Sequence, residues 1–221
     1  MSTRETVDET LQLAVDLATE LVRGCSIADI MLRRGRRIST PVASSEKARA
    51  IDAIQQELME GPCLTAMSHG EPVVSNDLVN DTRWPEFGRQ AGKLGVRSVA
   101  SYGLLSVPSG ANATFGSLNL YGDEVDLFDD NAVELGALFA SHCSTILAAA
   151  IKHEGLLAAL ESRDVIGQAK GILMERHRLT SAEAFEILSD RSQELNRKLR
   201  DVADAVTTTG ALPQGAHKQV L

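Results

Sequence analysis

Gly167 and Gly171 stand four residues apart in Arg163–Met174, RDVIGQAKGILM, a run that otherwise has helical periodicity. An interior glycine costs a helix about 1 kcal/mol relative to alanine. Two of them one turn apart leave a stripe without side chains, against which something must pack closely. Arg163 and Lys170, seven residues apart, flank that stripe. The chemistry open to such a set is electrostatic recognition: a cationic clamp on phosphates beside a surface that a backbone can approach. The same residues also fit solvated charges beside a tight helix–helix crossing. Arg191, Arg197 and Lys198 continue the positive set, the last two next to Asn196 at a helix junction.

Covalent chemistry has no comparable support. His69, His142, His153, His177 and His217 are scattered, none at metal-ligand spacing to another histidine or a cysteine. There is no Walker A loop, nucleophile elbow or dinucleotide fingerprint. No catalytic residue, metal ligand or cofactor is assigned, and the chain is not read as an enzyme. Cys25, Cys63 and Cys143 are odd in number and unpaired in spacing, which fits reduced buried thiols in the cytoplasm. A thiol redox sensor is the alternative that they leave open. Glu60-Gly61-Pro62-Cys63 reads as a proline-started helix carrying a buried thiol rather than as a nucleophile.

These residues need elements to hold them, and the composition supplies a soluble globular protein: 43% hydrophobic, 24% charged and only 4% aromatic. No run of 18 apolar residues occurs, so no membrane span is expected. The polar start MSTRETVDET does not read as a signal peptide. The net charge of −8 sits in residues 1–150, which hold 12 basic and 20 acidic side chains; residues 151–221 hold 10 of each. Residues 5–23 have the period of an amphipathic helix. Strand-like runs follow at 25–32, 38–43, 72–75, 97–107 and 114–121, interrupted by helical patches at 46–60, 62–69 and 84–94. Arg33-Arg34-Gly35-Arg36-Arg37 and Pro108-Ser109-Gly110-Ala111-Asn112 read as turns joining strand pairs. Antiparallel hairpins mixed with helices make an α+β domain.

From Phe128 onward the pattern is helical, with no proline before Pro213. One helix from about 129 to about 176, at ~1.5 Å per residue, would run roughly 70 Å. No small domain covers such a length, so Ile146, Ala150, Leu156, Leu157 and Leu160 are expected to pair with a second copy in a parallel coiled coil. Thr180-Ser181-Ala182-Glu183 is a capping box opening the next helix, whose small or apolar face includes Ala184, Phe185 and Leu188. Phe185 is read as core, so stacking of bases on an aromatic is not expected. Leu199, Val202, Ala203 and Val206 form a last short helix. The expected division is a sensor domain over 1–148, a coiled-coil signalling helix over 149–160, a three-helix domain over 161–209 and a mobile tail over 210–221.

Arg163, Ile166, Ala169-Lys170-Gly171, Leu173-Met174, Glu183-Ala184-Phe185, Leu188, Asn196-Arg197-Lys198-Leu199 and Val202-Ala203 together resemble an ANTAR domain, the RNA-binding module of transcription antitermination regulators. Upstream, Ala43-Ser44-Ser45, Glu60-Gly61-Pro62-Cys63, Gly70-Glu71-Pro72-Val73, Arg83-Trp84-Pro85-Glu86-Phe87 and Gly116-Ser117-Leu118-Asn119-Leu120 resemble a GAF domain of the kind fused to ANTAR in actinobacterial regulators. The GAF resemblance implies an antiparallel sheet of about six strands flanked by helices, with a small-molecule ligand of unknown identity. The ANTAR resemblance implies a homodimer that recognises paired RNA stem-loops through Arg163, Lys170, Arg191, Arg197 and Lys198. Signal would pass along the shared helix. A GAF-based interaction protein whose C-terminal helices dock a protein partner is the rival reading.

Overall fold

Ile27–Arg34 (β1) alternates side chains between two buried environments, as a strand covered on both faces must. In the computed structural model, which describes residues 3–35, 37–69, 71–105 and 114–213, β1 lies inside a five-stranded sheet ordered β2-β1-β5-β4-β3. The other strands are β2 (Arg37–Ala43), β3 (Val73–Ser75), β4 (Ser98–Leu105) and β5 (Thr114–Gly122). Every neighbouring pair is antiparallel. The resemblance implied about six strands, and five are found among the described residues. The turn expected at 108–112, Arg36 of the basic turn and the tail beyond 213 lie outside them.

The chain divides into two compact units, 1–151 and 152–221. In the first, α1 (Thr3–Leu21) and the start of α5 (Asp130–His177) cover one sheet face. Leu11, Val15 and Ala18 of α1 and Ala132, Ala140, Cys143 and Leu147 of α5 share a core with Ile30, Tyr102, Leu118 and Leu120. The other face carries α2 (Glu46–Leu58), α3 (Pro62–His69) and α4 (Pro85–Lys93), packed through Ile51, Cys63, Met67, Trp84 and Phe87 onto Met31, Val99 and Tyr121. Local chemistry sets the ends of these helices. Ser45 caps α2 by accepting from the Ala48 amide at 3.3 Å, and Pro62 and Pro85 open α3 and α4.

The 48-residue α5 begins where the Asp129 carboxylate accepts the Ala132 amide at 2.9 Å, and Gly155 does not interrupt it. An 18-residue window in it reaches a mean hydropathy of 1.4, enough to cross a membrane by length and composition alone. Ala132, Ala140, Cys143 and Leu147 of the same helix are nevertheless buried in the sheet core.

In the second unit the end of α5, α6 (Ser181–Glu194) and α7 (Leu199–Thr209) enclose a small core of Ala169, Leu173, Ala184, Leu188, Val202, Ala203 and Val206. Left-handed Arg178, at φ 55°, ends α5. The capping box then starts α6: the Thr180 hydroxyl accepts the Glu183 amide while the Glu183 carboxylate accepts the Thr180 amide at 2.7 Å. Asn196, at φ 48°, separates α6 from α7 as expected of it.

Candidate nucleic-acid interface

Ala169 and Leu173 anchor α5 in the bundle core, so the residues between them are set by helical period on its flanks. Arg163, Gly167 and Gly171 are exposed and Lys170 is half-buried. Arg163, Asp164, Ile166, Gly167 and Lys170 line an open groove of about 920 Å³ whose far wall includes Phe185 of α6. Gly171 lines a second open groove of about 700 Å³, with Gln168, Glu175, Arg176 and Gly210. The single stripe expected from the sequence is therefore shared between two grooves. A methyl group added at Gly167 or Gly171 would meet no atom within 4 Å. Among the described residues nothing packs against either glycine, which corrects the reading of a tight crossing within one chain.

Phe185 requires a second correction. It is 43% exposed, because Ala184 and Leu188 occupy the core positions of α6 and leave residue 185 on the flank. Lys170 Nζ lies 5.9 Å from the Phe185 ring centroid, a cation beside an aromatic face. The helical spacing of Phe185 to Leu188 matched a core face as well as that of Ala184 did, which is why the sequence misled.

The other cations are not gathered into this groove. Arg191 is half-buried and pairs with Glu194 one turn on at 2.9 Å. Arg197 and Lys198 are exposed at the α6–α7 junction, where the Ser192 hydroxyl donates to the Arg197 carbonyl at 2.6 Å. Neither lines either groove. Arg163, Lys170, Arg197 and Lys198 form no ion pair with a described acid, so their charges stay available to a ligand. Residues 161–206 hold 8 basic and 9 acidic side chains, so attraction for an anion is local to these cations rather than a field of the whole unit.

In the first unit, sequence reasoning missed a buried polar network between the sheet and α2–α3. Asp29 of β1 and Asp52 of α2 are both fully buried. Asn119 Nδ2 donates to Asp29 at 2.7 Å; the Thr40 hydroxyl donates to Asp52 at 2.6 Å and the Tyr121 hydroxyl at 3.3 Å. Burial, and then the neighbouring Asp52 charge, holds the Asp29 carboxyl well above the usual carboxylate range. Burial also pushes Asp52 up to about 6, against the opposing pull of the Thr40 and Tyr121 hydroxyls. Two carboxyls this deep share protons rather than both ionising. The network continues through Tyr121 to Cys63 Sγ at 3.3 Å, and Gln55 joins both. The signal was present: Asp29 is a lone acid in the apolar strand run SIADIML.

The same physics acts on the three buried thiols. Burial pushes Cys25 up to about 12 and Cys143 up to about 11, and holds Cys63 well above the ordinary thiol value with help from the two aspartates. All three are held as thiols, opposite to the exposed thiolate that an oxidation sensor needs.

Comparison with known proteins completes the picture. Residues 4–148 match the family model of the GAF domain and residues 154–206 that of the ANTAR domain. Among solved structures, the chain is similar to the type II free methionine-R-sulfoxide reductase of Thermoplasma acidophilum, at 12% identity and a TM-score of 0.51 over 66% of this chain and 94% of that one. It is similar to the PixJ GAF domain of Thermosynechococcus elongatus at 15% identity and a TM-score of 0.52, covering 72% and 95% of the two chains. A GAF domain/HD domain protein of Geobacter sulfurreducens matches at 12% identity and 0.51, covering 65% and 93%. At these identities the likeness is one of fold. No curated protein matches the sequence.

Proposed function

The chain belongs to the GAF-domain family and carries a C-terminal ANTAR domain, and on that premise we propose that it is a dimeric RNA-binding regulator of transcription antitermination. These are regulatory rather than catalytic domains. The GAF domain receives the input, a small molecule, and the ANTAR bundle binds RNA stem-loops in pairs. The observation that carries the reading is the groove on the bundle: Arg163 and Lys170 beside an uncovered Gly167, with none of the described residues filling the space. Phosphates lie between the two cations, and the bare helix at Gly167 lets the sugar-phosphate backbone come close. Arg197 and Lys198 give further phosphate contacts at the junction, and Arg191 a weaker one, since Glu194 already holds it.

Pairing of two chains supports binding of two stem-loops. Leu138, Ile151, Leu156, Leu157 and Leu160 of α5 are each 43–56% exposed, a set of apolar side chains that a second copy would cover. Signalling uses α5, which supplies core residues to both units. A change in its packing against the sheet alters the helix that carries Arg163 and Lys170.

The test is the affinity of the full chain for an RNA of two stem-loops, measured across salt concentrations. Binding is expected to weaken with salt, and Lys170→Ala to lower the slope of log affinity against log salt by about one while weakening binding. Binding that is indifferent to salt would instead support docking of a protein through apolar helix faces.

A further inference from the structure

Seven of the eight aromatic side chains are buried or half-buried; Phe185 alone is exposed. An exposed phenyl ring gives up the largest contribution that this chain's scarce aromatics can make to a core. Its position is also not forced by bundle packing, because the adjacent Ala184 already fills the α6 core position. The ring forms one wall of the groove that holds Arg163, Gly167, Gln168 and Lys170, with Lys170 Nζ 5.9 Å from its centroid.

From this arrangement we infer that Phe185 is the stacking platform for one unpaired base of a looped RNA, with Lys170 and Arg163 on the phosphates that flank that base. The inference rests on the RNA-binding reading above and adds the feature recognised: a base outside any duplex. A paired base keeps both faces in its own stack, whereas a loop base can be splayed onto an aromatic ring. Stacking accepts any base, since each has a π-face. Selectivity falls to the groove's polar lining, where the Gln168 amide offers one donor group and one acceptor to a base edge, and Asp164 offers an acceptor only. Lys170 serves two contacts here, resting near the ring when no RNA is bound and reaching a phosphate when the base takes its place. Arg163, Asp164, Gln168 and Lys170 line the same groove, and an apolar protein plug on Phe185 would leave their charged and amide groups without partners, whereas a nucleotide can pair them.

The experiment uses the full chain and an RNA of two stem-loops whose loops are enriched from a random pool by binding to that chain. 2-Aminopurine is placed at each loop position in turn. One position is expected to be quenched by the wild type. Phe185→Leu should abolish that quenching and weaken binding roughly 5- to 150-fold, the range that loss of one base–aromatic stack produces. The salt slope should stay unchanged, because the ring releases no counterion. Phe185→Trp should retain both quenching and affinity, which separates loss of the ring from damage to the bundle. Unchanged affinity and quenching in Phe185→Leu would overturn the stacking role and leave RNA binding standing. Weakened binding with the quenched position intact would overturn it as well. If the wild-type chain enriches no RNA, both this inference and the antitermination reading fall.

Discussion

Glycine is used in opposite ways in the two units. In the sheet domain a Cβ at Gly116 of β5 would collide with the Met31 carbonyl and come within 2.9 Å of Leu32 Cα, and one at Gly136 of α5 would collide with the Tyr102 hydroxyl. Further along the same helix, a Cβ at Gly167 or Gly171 would meet nothing. The first pair is explained by the chain itself: the backbone or a ring already occupies the space. The second pair carries the helical cost of glycine with no contact among the described residues in return, and at Gly167 the proposed approach of RNA would account for it. Polar groups divide similarly. Asp29 and Asp52 of the GAF domain are buried and hydrogen-bonded within it, while the cations of the ANTAR groove are left open to a ligand.

Substitutions should separate the two uses by sign as well as size. The largest effect is expected from Gly116→Ala, where backbone must move to admit the methyl; a loss of about 3 kcal/mol, at the upper end of overpacking costs, should appear in chemical denaturation of the GAF domain. Next is the pH response of the same domain. Asp29 and Asp52 hold protons more tightly folded than unfolded, so above the ordinary carboxylate value of 3.8 the folded state binds more protons than the unfolded chain. Stability is therefore greatest at or below that value and falls as pH rises through about 6, the folded value of Asp52. Between about pH 4 and pH 8 the loss should be on the order of 1–3 kcal/mol, and Asp52→Asn should make it shallower, leaving the share of Asp29. The Asn side chain keeps an acceptor for one of the two hydroxyls, Thr40 or Tyr121, and adds no charge. A melting temperature of the Asp52→Asn variant that still drops as steeply with pH would place the titration elsewhere. The smallest change in stability, and the only gain, is expected at Gly167.

The elements were legible because both periods are strong here. The expected strands 38–43 and 114–121 lie within one residue of Arg37–Ala43 and Thr114–Gly122, and the expected helix 129–176 within one residue of Asp130–His177. The capping box at Thr180 was legible as chemistry rather than pattern. What remained hidden were choices between neighbours. Ala184 and Phe185 both stand at helical spacing to Leu188, and only the position of α7, with Val202, Ala203 and Val206 over the former, leaves the ring outside. Asp29 and Asp52 were hidden because burying an acid depends on partners far away in sequence, here Asn119 and Tyr121. The glycine pair was visible as a cost, but whether anything covers it is a property of three-dimensional packing.

The most direct measurement is therefore paired: thermal stability and stem-loop RNA affinity of Gly167→Ala in the full chain. Because the added methyl meets no atom of the described residues within 4 Å, the helix should gain up to about 1 kcal/mol of stability. RNA affinity should fall at the same time, since the methyl stands where the RNA backbone approaches. A more stable protein with weaker RNA binding is the expected result. A more stable protein that binds RNA as tightly as the wild type would contradict it, and would leave the open glycine without a role in recognition.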